Sequence, residues 1–278
     1  MTKPPASLQP LSAVAVCYHL SAGQFIAKLQ ALASRCGRRL HGIAVSNNPA
    51  YDIPAAQAGM DVMRGSNAHL DFSGYFEGLE RLTTAHPAGP SENVLFINDS
   101  LLTKHAGGAI LGRVLRSDAL LRQLRVPAIA GKLDPYRSIC LRNPWSGHAG
   151  YVSSFCFLLN GHALPVLRSL RRLASDDGVL ATSPVQSDLW GTGLQPAMRE
   201  FIRAHLVYHG SPYLWNANGA ADASLVRKKA SCVYFESRLS GAIGADGALV
   251  PINAGPRSRT GLFVSETLSR LARAITGA

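Results

Sequence analysis

The sequence predicts an α/β fold, a mostly parallel central sheet flanked by helices, and three observations predict it. Short β-branched runs alternate with amphipathic helical stripes along most of the chain. A 278-residue chain that is 47% hydrophobic has enough apolar side chains for a sizeable core. The first four strand-like runs all end in polar residues, at Tyr18-His19, Asn47-Asn48, Arg64 to Asn67 and Asn98-Asp99-Ser100. In an open parallel sheet such ends converge on one edge, where ligands bind.

Each element has its own reason. Residues 1–11 are proline-bearing and lack an apolar core, so they read as a loose arm and not as a signal peptide. "SAVAVCY" (Ser12 to Tyr18) reads as a buried strand. Ser21 and Gln24 have capping-box spacing, Phe25, Leu29 and Leu32 form a helical stripe, and Gly37 stands where a C-terminal cap belongs. "HGIAVSNN" and the short "DVM" read as the second and third strands. Phe72, Phe76, Leu79 and Leu82 stripe a second helix, and "NVLFIND" is a fourth strand. A helical region over about residues 107–124 precedes the strand "VPAIAG". "GYVSSFCFLLN" is a strong strand, "ALPVLRSLRRLA" a helix, and "CVYFESRLSGAI" a further helix that carries Glu236. Between these last two the pattern weakens from about Asp176, and Asp176-Asp177 read as a helix-end loop. "SETLSRLARAI" closes the chain as an amphipathic helix.

Composition narrows the function classes. The longest apolar stretch is interrupted by Asn160, His162 and Pro165, so no membrane-spanning helix is expected. Five cysteines are odd in number and include no CxxC pair, which fits a reduced cytoplasmic protein without a zinc site. The net charge of +11 favours an anionic partner. The basic residues are scattered and not interleaved with aromatics, so nucleic acid is not expected. Arg168, Arg171 and Arg172, with Arg270 and Arg273, suggest weak peripheral contact with anionic lipid.

The stretch "RGSNAHLDFSGYFEGLERL" holds more small polar residues than a turn needs. It lies at the predicted ligand edge and at a helix N-terminus, where backbone N–H groups suit an anion. Gly65 and Gly74 would let the backbone approach a ligand closely. Asp71 reads equally as a ligand contact or as the N-cap of its helix. "NDS" at Asn98 to Ser100 reads as a ligand-edge motif or as an Asx turn.

At these residues a resemblance becomes specific. "NAHLDFSGYFEGL" resembles a segment of the rhamnan-synthesis F glycosyltransferase-like family, matching at Asn67, Asp71, Phe72, Gly74, Tyr75, Gly78 and Leu79, with His69 where that family usually has Gly. "VLFINDSLL" is similar to its strand ending in Asn-Asp-Ser. "YVSSFCFLL" is similar to a later strand, with Ser154 and Phe155 retained and Tyr151 and Ser153 replacing His and Gln. "YFESRLSGAIGADG" is similar to a late segment. The four segments come in the family's order and span about Ser46 to Gly247.

The resemblance implies a GT-A-like nucleotide-binding fold, with residues 12–278 as one domain, the donor half over about 12–130 and the acceptor half over about 131–278. It implies inverting transfer of a sugar, L-rhamnose among the candidates, from a nucleoside-diphosphate sugar to a bacterial surface glycan or polyprenyl-linked acceptor. The place implied is the cytoplasm, at the inner face of the cell membrane. Donor contacts then fall on Tyr18, His19, Asn47, Asn67, Asp71, Asn98 and Ser100, and acceptor contacts on Tyr151, Ser153 and Ser154. Glu236 is the candidate base, a solvated helical Glu being the alternative. Asp99 is the candidate ligand for Mg²⁺ or Mn²⁺ across the diphosphate, as oxygen ligands suit a hard cation. Lys104, His105 or Arg113 could supply positive charge instead. The rival reading is a non-catalytic basic α/β module that binds a nucleotide, a nucleic acid or a polysaccharide-assembly partner.

Overall fold

The first strand is apolar on both sides because both of its faces are covered. From Ala13 to Cys17 every residue of β1 (Gln9–Cys17) is buried. That pattern belongs to a central strand of a parallel sheet. The computed structural model describes residues 8–85, 92–105, 107–136, 142–206 and 221–253. Among them β1 is followed by α1 (Ala22–Arg35), β2 (Arg38–Ser46), β3 (Met60–Arg64), α2 (Asp71–Ala85) and β4 (Val94–Asn98). Three helices come next, α3 (Ser100–Thr103), α4 (Gly107–Arg116) and α5 (Asp118–Gln123), and then β5 (Ala128–Pro135) and β6 (Gly150–Leu159). The described residues end with α6 (Leu164–Asp176), α7 (Pro196–Leu206), α8 (Ala223–Asp246) and β7 (Ala248–Pro251).

The strands form one seven-stranded sheet in the order β3-β2-β1-β4-β6-β5-β7. All neighbouring pairs are parallel except those of β6, which runs antiparallel to β4 and β5. The fold class is therefore the predicted one, with one reversed strand that the periodicity did not disclose. One face of the sheet packs against α2, α6, α7 and α8, through Phe72, Leu167, Ile202 and Phe235 among others. The other packs against α1, α4 and α5, through Phe25, Leu29, Val114 and Leu121.

Local signals act as read at the start of α1. Ser21 caps it with a complete capping box to Gln24. Several boundaries differ from the sequence reading. The strand begins inside the expected arm, because Gln9 to Leu11 pair with Arg38 to Leu40. The helical region 107–124 is two helices. The sequence reading left β7 and α7 unassigned, although Met198, Ile202 and Leu206 of α7 are buried at four-residue spacing. The helix with Glu236 extends back to Ala223, where Asp222 caps it by accepting from the Leu225 N–H at 2.7 Å. The predicted helix over Ser265 to Ile275 lies outside the described residues, as does the arm up to residue 7.

Gly74 and Gly78 serve packing, which corrects the reading of Gly74 as ligand approach. A Cβ on Gly78 would lie 2.4 Å from Val14 Cγ1, and one on Gly74 2.7 Å from Val16 Cγ2. The two glycines let α2 lie directly on β1. Gly78→Ala is expected to destabilise the protein by about 1–2 kcal/mol, overpacking outweighing the helical gain over Gly. Chemical denaturation checks this. A variant as stable as the parent would refute the close contact.

Candidate functional site

The polar strand ends do converge. Strand order reverses between β1 and β4, the switch point at which open α/β sheets form their crevice. A cleft of about 710 Å³ opens there. Ten of the twelve sequence-predicted site residues line it: Tyr18, His19, Asn47, Asn67, Asp71, Asn98, Asp99, Ser100, Ser154 and Glu236. Lys104, His105, Phe155, Asp222, Lys228 and Lys229 line it too. Arg113, in the last turn of α4, does not.

The reversed strand explains how the chain's middle reaches this edge. Because β6 runs antiparallel to β4, its N-terminal half extends past the C-terminal end of that strand. Opposite Gly131 to Leu133 of β5, β6 passes from Phe157 to Val152, a register shift that bulges the strand. A bulge re-aims side chains, and here Ser154 and Phe155 both reach the cleft. Tyr151 and Ser153, predicted to contact an acceptor, do not line it. Ser153 donates to Asp134, itself paired with Lys132 at 2.6 Å, and Tyr151 packs against the Tyr136 ring.

Asp99 does something other than expected. It is 3% exposed, and its Oδ2 accepts three backbone N–H groups, from Tyr18 at 2.9 Å, His19 at 2.6 Å and Leu20 at 2.8 Å. The carbonyls of the same loop are held from the other side. The Tyr18 carbonyl accepts from Asn48 Nδ2 at 2.8 Å and the His19 carbonyl from the Tyr51 hydroxyl at 3.1 Å. Arg64 in turn holds the carbonyls of Asn48 and Tyr51, both at 2.6 Å. The loop after β1 is thereby fixed and leaves Tyr18 exposed at the cleft, edge-on to His19.

These contacts bear on how a divalent cation would meet Asp99. Three N–H dipoles point their positive ends at the carboxylate and occupy its Oδ2. Among the described residues no group of three or more His, Cys, Asp or Glu is placed to hold a metal ion. With Oδ2 so engaged, Asp99 offers a cation at most its other oxygen. The Asx reading of "NDS" holds locally: Asn98 Oδ1 accepts from the Ser100 N–H at 3.1 Å and from the Ser100 hydroxyl.

The opening loop is pinned in an unusual conformation. Asn67 and Leu70 both have positive φ, 50° and 51°. Asn tolerates this conformation, whereas Leu does so at a cost of about 1–3 kcal/mol. The Leu70 carbonyl accepts from Asn47 Nδ2 at 2.9 Å and from the Ser73 hydroxyl at 2.7 Å. Gly65 makes room for Asn47: a Cβ there would meet Asn47 Oδ1 at 2.1 Å. Its role is packing against the site, not backbone approach to a ligand.

This loop delivers Asp71 as the first residue of α2, so it is not the N-cap. It is partly exposed at the cleft. Burial raises its carboxyl to about 6, against the opposing pull of Lys229, with Glu236 and Asp99 adding to the rise and an Asn98 hydrogen bond lowering it. Glu236 accepts the Ser154 N–H at 2.8 Å through Oε1. Burial presses Lys229 towards neutrality, but Cys232, Glu236 and Asp71 more than reverse this and hold its pKa above the ordinary value. His105 stacks on Phe155 with ring centroids 4.1 Å apart, and burial lowers its pKa.

Sequence reasoning did not single out Lys228 and Lys229. The one usable signal was the seven-residue spacing of Lys229 and Glu236, which puts both on one face of a helix. Asp176 and Asp177 have structural partners, Arg172 and the Tyr234 hydroxyl, and neither lines the cleft. Arg168, Arg171 and Arg172 are exposed on α6, and Arg270 and Arg273 lie outside the described residues. No described helix is long and apolar enough to cross a membrane.

No family model matches this chain, and no curated protein does. Among solved structures it is similar to the crystal structure of 2-C-methyl-D-erythritol 4-phosphate cytidylyltransferase from Thermus thermophilus. The identity is 16%, with 93% of this chain and 99% of that chain covered and a TM-score of 0.33. A likeness at that level carries no argument about this chain.

Proposed function

We propose that the protein is an inverting, GT-A-like glycosyltransferase. It moves a sugar, L-rhamnose being the first to try, from a nucleoside-diphosphate sugar to a surface glycan or polyprenyl-linked acceptor at the inner face of the cell membrane. The observation that carries this reading is the convergence of the resembling segments. The Asn67–Asp71 loop, the Asn98–Ser100 strand end, Ser154 and Glu236 come from four distant stretches and line one cleft at the switch point of the sheet.

Within that reading the residues' chemistry suggests a role for each. Tyr18 and His19, on a loop fixed from both sides, offer a flat edge to the nucleobase. Asn67 can donate to and accept from a sugar hydroxyl. The sequence favours Glu236 as base, whereas the surroundings favour Asp71. A base works best with a pKa near the working pH, and Asp71 stands at about 6. Glu236 spends one oxygen on a backbone amide and balances the charge of Lys229. In the reaction the acceptor hydroxyl attacks the anomeric carbon, its proton passes to Asp71, and the bond from that carbon to the diphosphate oxygen breaks. The cleft lysines face the negative charge left on the departing group.

Release of nucleoside diphosphate over a panel of nucleotide sugars tests the reading. Turnover with at least one of them is expected. Binding to oligonucleotides that weakens steeply with salt, without binding or turnover of any nucleotide sugar, would instead establish the basic-module reading.

A further inference from the structure

We infer that the cleft holds the diphosphate of its ligand without a divalent cation, the ammonium groups of Lys229, Lys228 and Lys104 standing where a metal ion would. The inference rests on the nucleotide-sugar reading above and specifies how that ligand is bound.

Two independent observations lead to it. The first is the engagement of Asp99 Oδ2. A carboxylate oxygen has two lone pairs, and Asp99 Oδ2 already serves three N–H donors within 2.9 Å. A cation beside it would face the positive ends of those three dipoles. The second is Lys229. It lines the cleft, is partly buried and stays charged, yet no hydrogen bond or ion pair reaches its ammonium from any described residue. An ammonium carries three donors, and one held out of bulk water without acceptors is costly. Phosphate oxygens at the cleft would supply those acceptors. Lys228 precedes it on α8, and Lys104 follows α3, so positive charge reaches the cleft from two parts of the chain. Glu236 and Asp71 keep Lys229 charged, and Lys228 and Lys104 add positive charge to the same cleft.

The chemistry balances without a metal. As the bond from sugar to diphosphate breaks, negative charge grows on the leaving oxygen. Fixed ammonium groups meet that charge as a Lewis acid would, with hydrogen bonds in place of coordination.

Calorimetry with UDP, dTDP, GDP and CDP tests this, in EDTA and in excess Mg²⁺ or Mn²⁺, beside the matching free nucleosides. At least one diphosphate should bind equally well under both conditions, within about twofold. Lys229→Gln should weaken that diphosphate by about tenfold to a hundredfold, the cost of a lost charged hydrogen bond, and leave the nucleoside unchanged. Added Mg²⁺ should not rescue it. Lys228→Gln and Lys104→Gln provide the same comparison if Lys229→Gln does not fold. A diphosphate that binds only when metal is present would overturn the inference and leave the nucleotide-sugar reading standing. A folded protein that binds none of the diphosphates under either condition would overturn both.

Discussion

Asp71→Asn is expected to cut turnover by about 10²–10⁴-fold, the range for loss of a positioned base, and at the same time to stabilise the protein at neutral pH. The two effects have one cause. Burial raises the Asp71 carboxyl from an ordinary 3.8 to about 6. The folded protein therefore binds this proton more tightly than the unfolded chain does. Between those two values the native state carries more protons, so stability falls as pH rises through the window and stays low above it. The charge costs at most about 3 kcal/mol above the window, since each pKa unit is worth about 1.36 kcal/mol. An Asn of the same shape removes that cost. Melting temperature above about pH 7 should rise by several degrees, at roughly 2–4 °C per kcal/mol, and the difference should vanish below about pH 4. In the parent, turnover should increase with pH through about 6 as Asp71 ionises. A folded Asp71→Asn protein with full activity would remove Asp71 from the chemistry. A less stable one at neutral pH would show that the ionised carboxylate is structural.

Asp99→Ala is expected to produce the opposite pattern, a loss of stability and of ligand affinity together. Three backbone N–H groups lose a charged acceptor that serves all of them. A hydrogen bond to a charged group is worth about 1.5–3 kcal/mol, and bonds sharing one oxygen are not additive, so the total expected is about 3–5 kcal/mol. Asp99→Asn retains a neutral acceptor oxygen and should lose roughly half as much. The direct readout is amide hydrogen exchange at Tyr18, His19 and Leu20. These amides should become the fastest-rising in the variant, because their partner is gone. Nucleotide affinity should fall with them and stay low when Mg²⁺ or Mn²⁺ is added. Unchanged exchange at those amides, with a metal-dependent loss of affinity, would restore Asp99 as a metal ligand.

Much of the fold was legible because its signals are local. The Ser21–Gln24 box, the Phe72 to Leu82 stripe and the β-branched runs each depend on neighbours a few residues away, and the structure realises each of them. The polar ends of four strands could be placed on one edge because strands that pair in parallel all end at the same side of the sheet. The direction of β6 could not be read. A strand buried on both sides has the same apolar sequence in either direction, and only its partners make it antiparallel. The first turns of α8 escaped because they bury only Val226 and Ala230, whereas the Met198, Ile202 and Leu206 stripe of α7 was legible and was passed over.

The site divides in the same way. Asn67, Asp71 and Asn98 could be named from the sequence because their residue types suit ligand contact and they end a strand or stand at a helix start, whereas Ser154, inside β6, was named through the resemblance alone. What Asp99 does with its carboxylate was decided by N–H groups 79 to 81 residues away in the chain. The proton affinity of Asp71 was set by burial against α8 and by Lys229 and Glu236 on that helix. Gly65, Gly74 and Gly78 could be seen as places without a side chain, but what fills the space was settled by Asn47, Val16 and Val14 across the fold. Residue type and local periodicity determined which groups this protein has and which edge of the sheet they occupy. The tertiary structure decided their charge, their partners and their remaining capacity to bind, because burial and electrostatic coupling are properties of neighbours in space and not of neighbours in the chain.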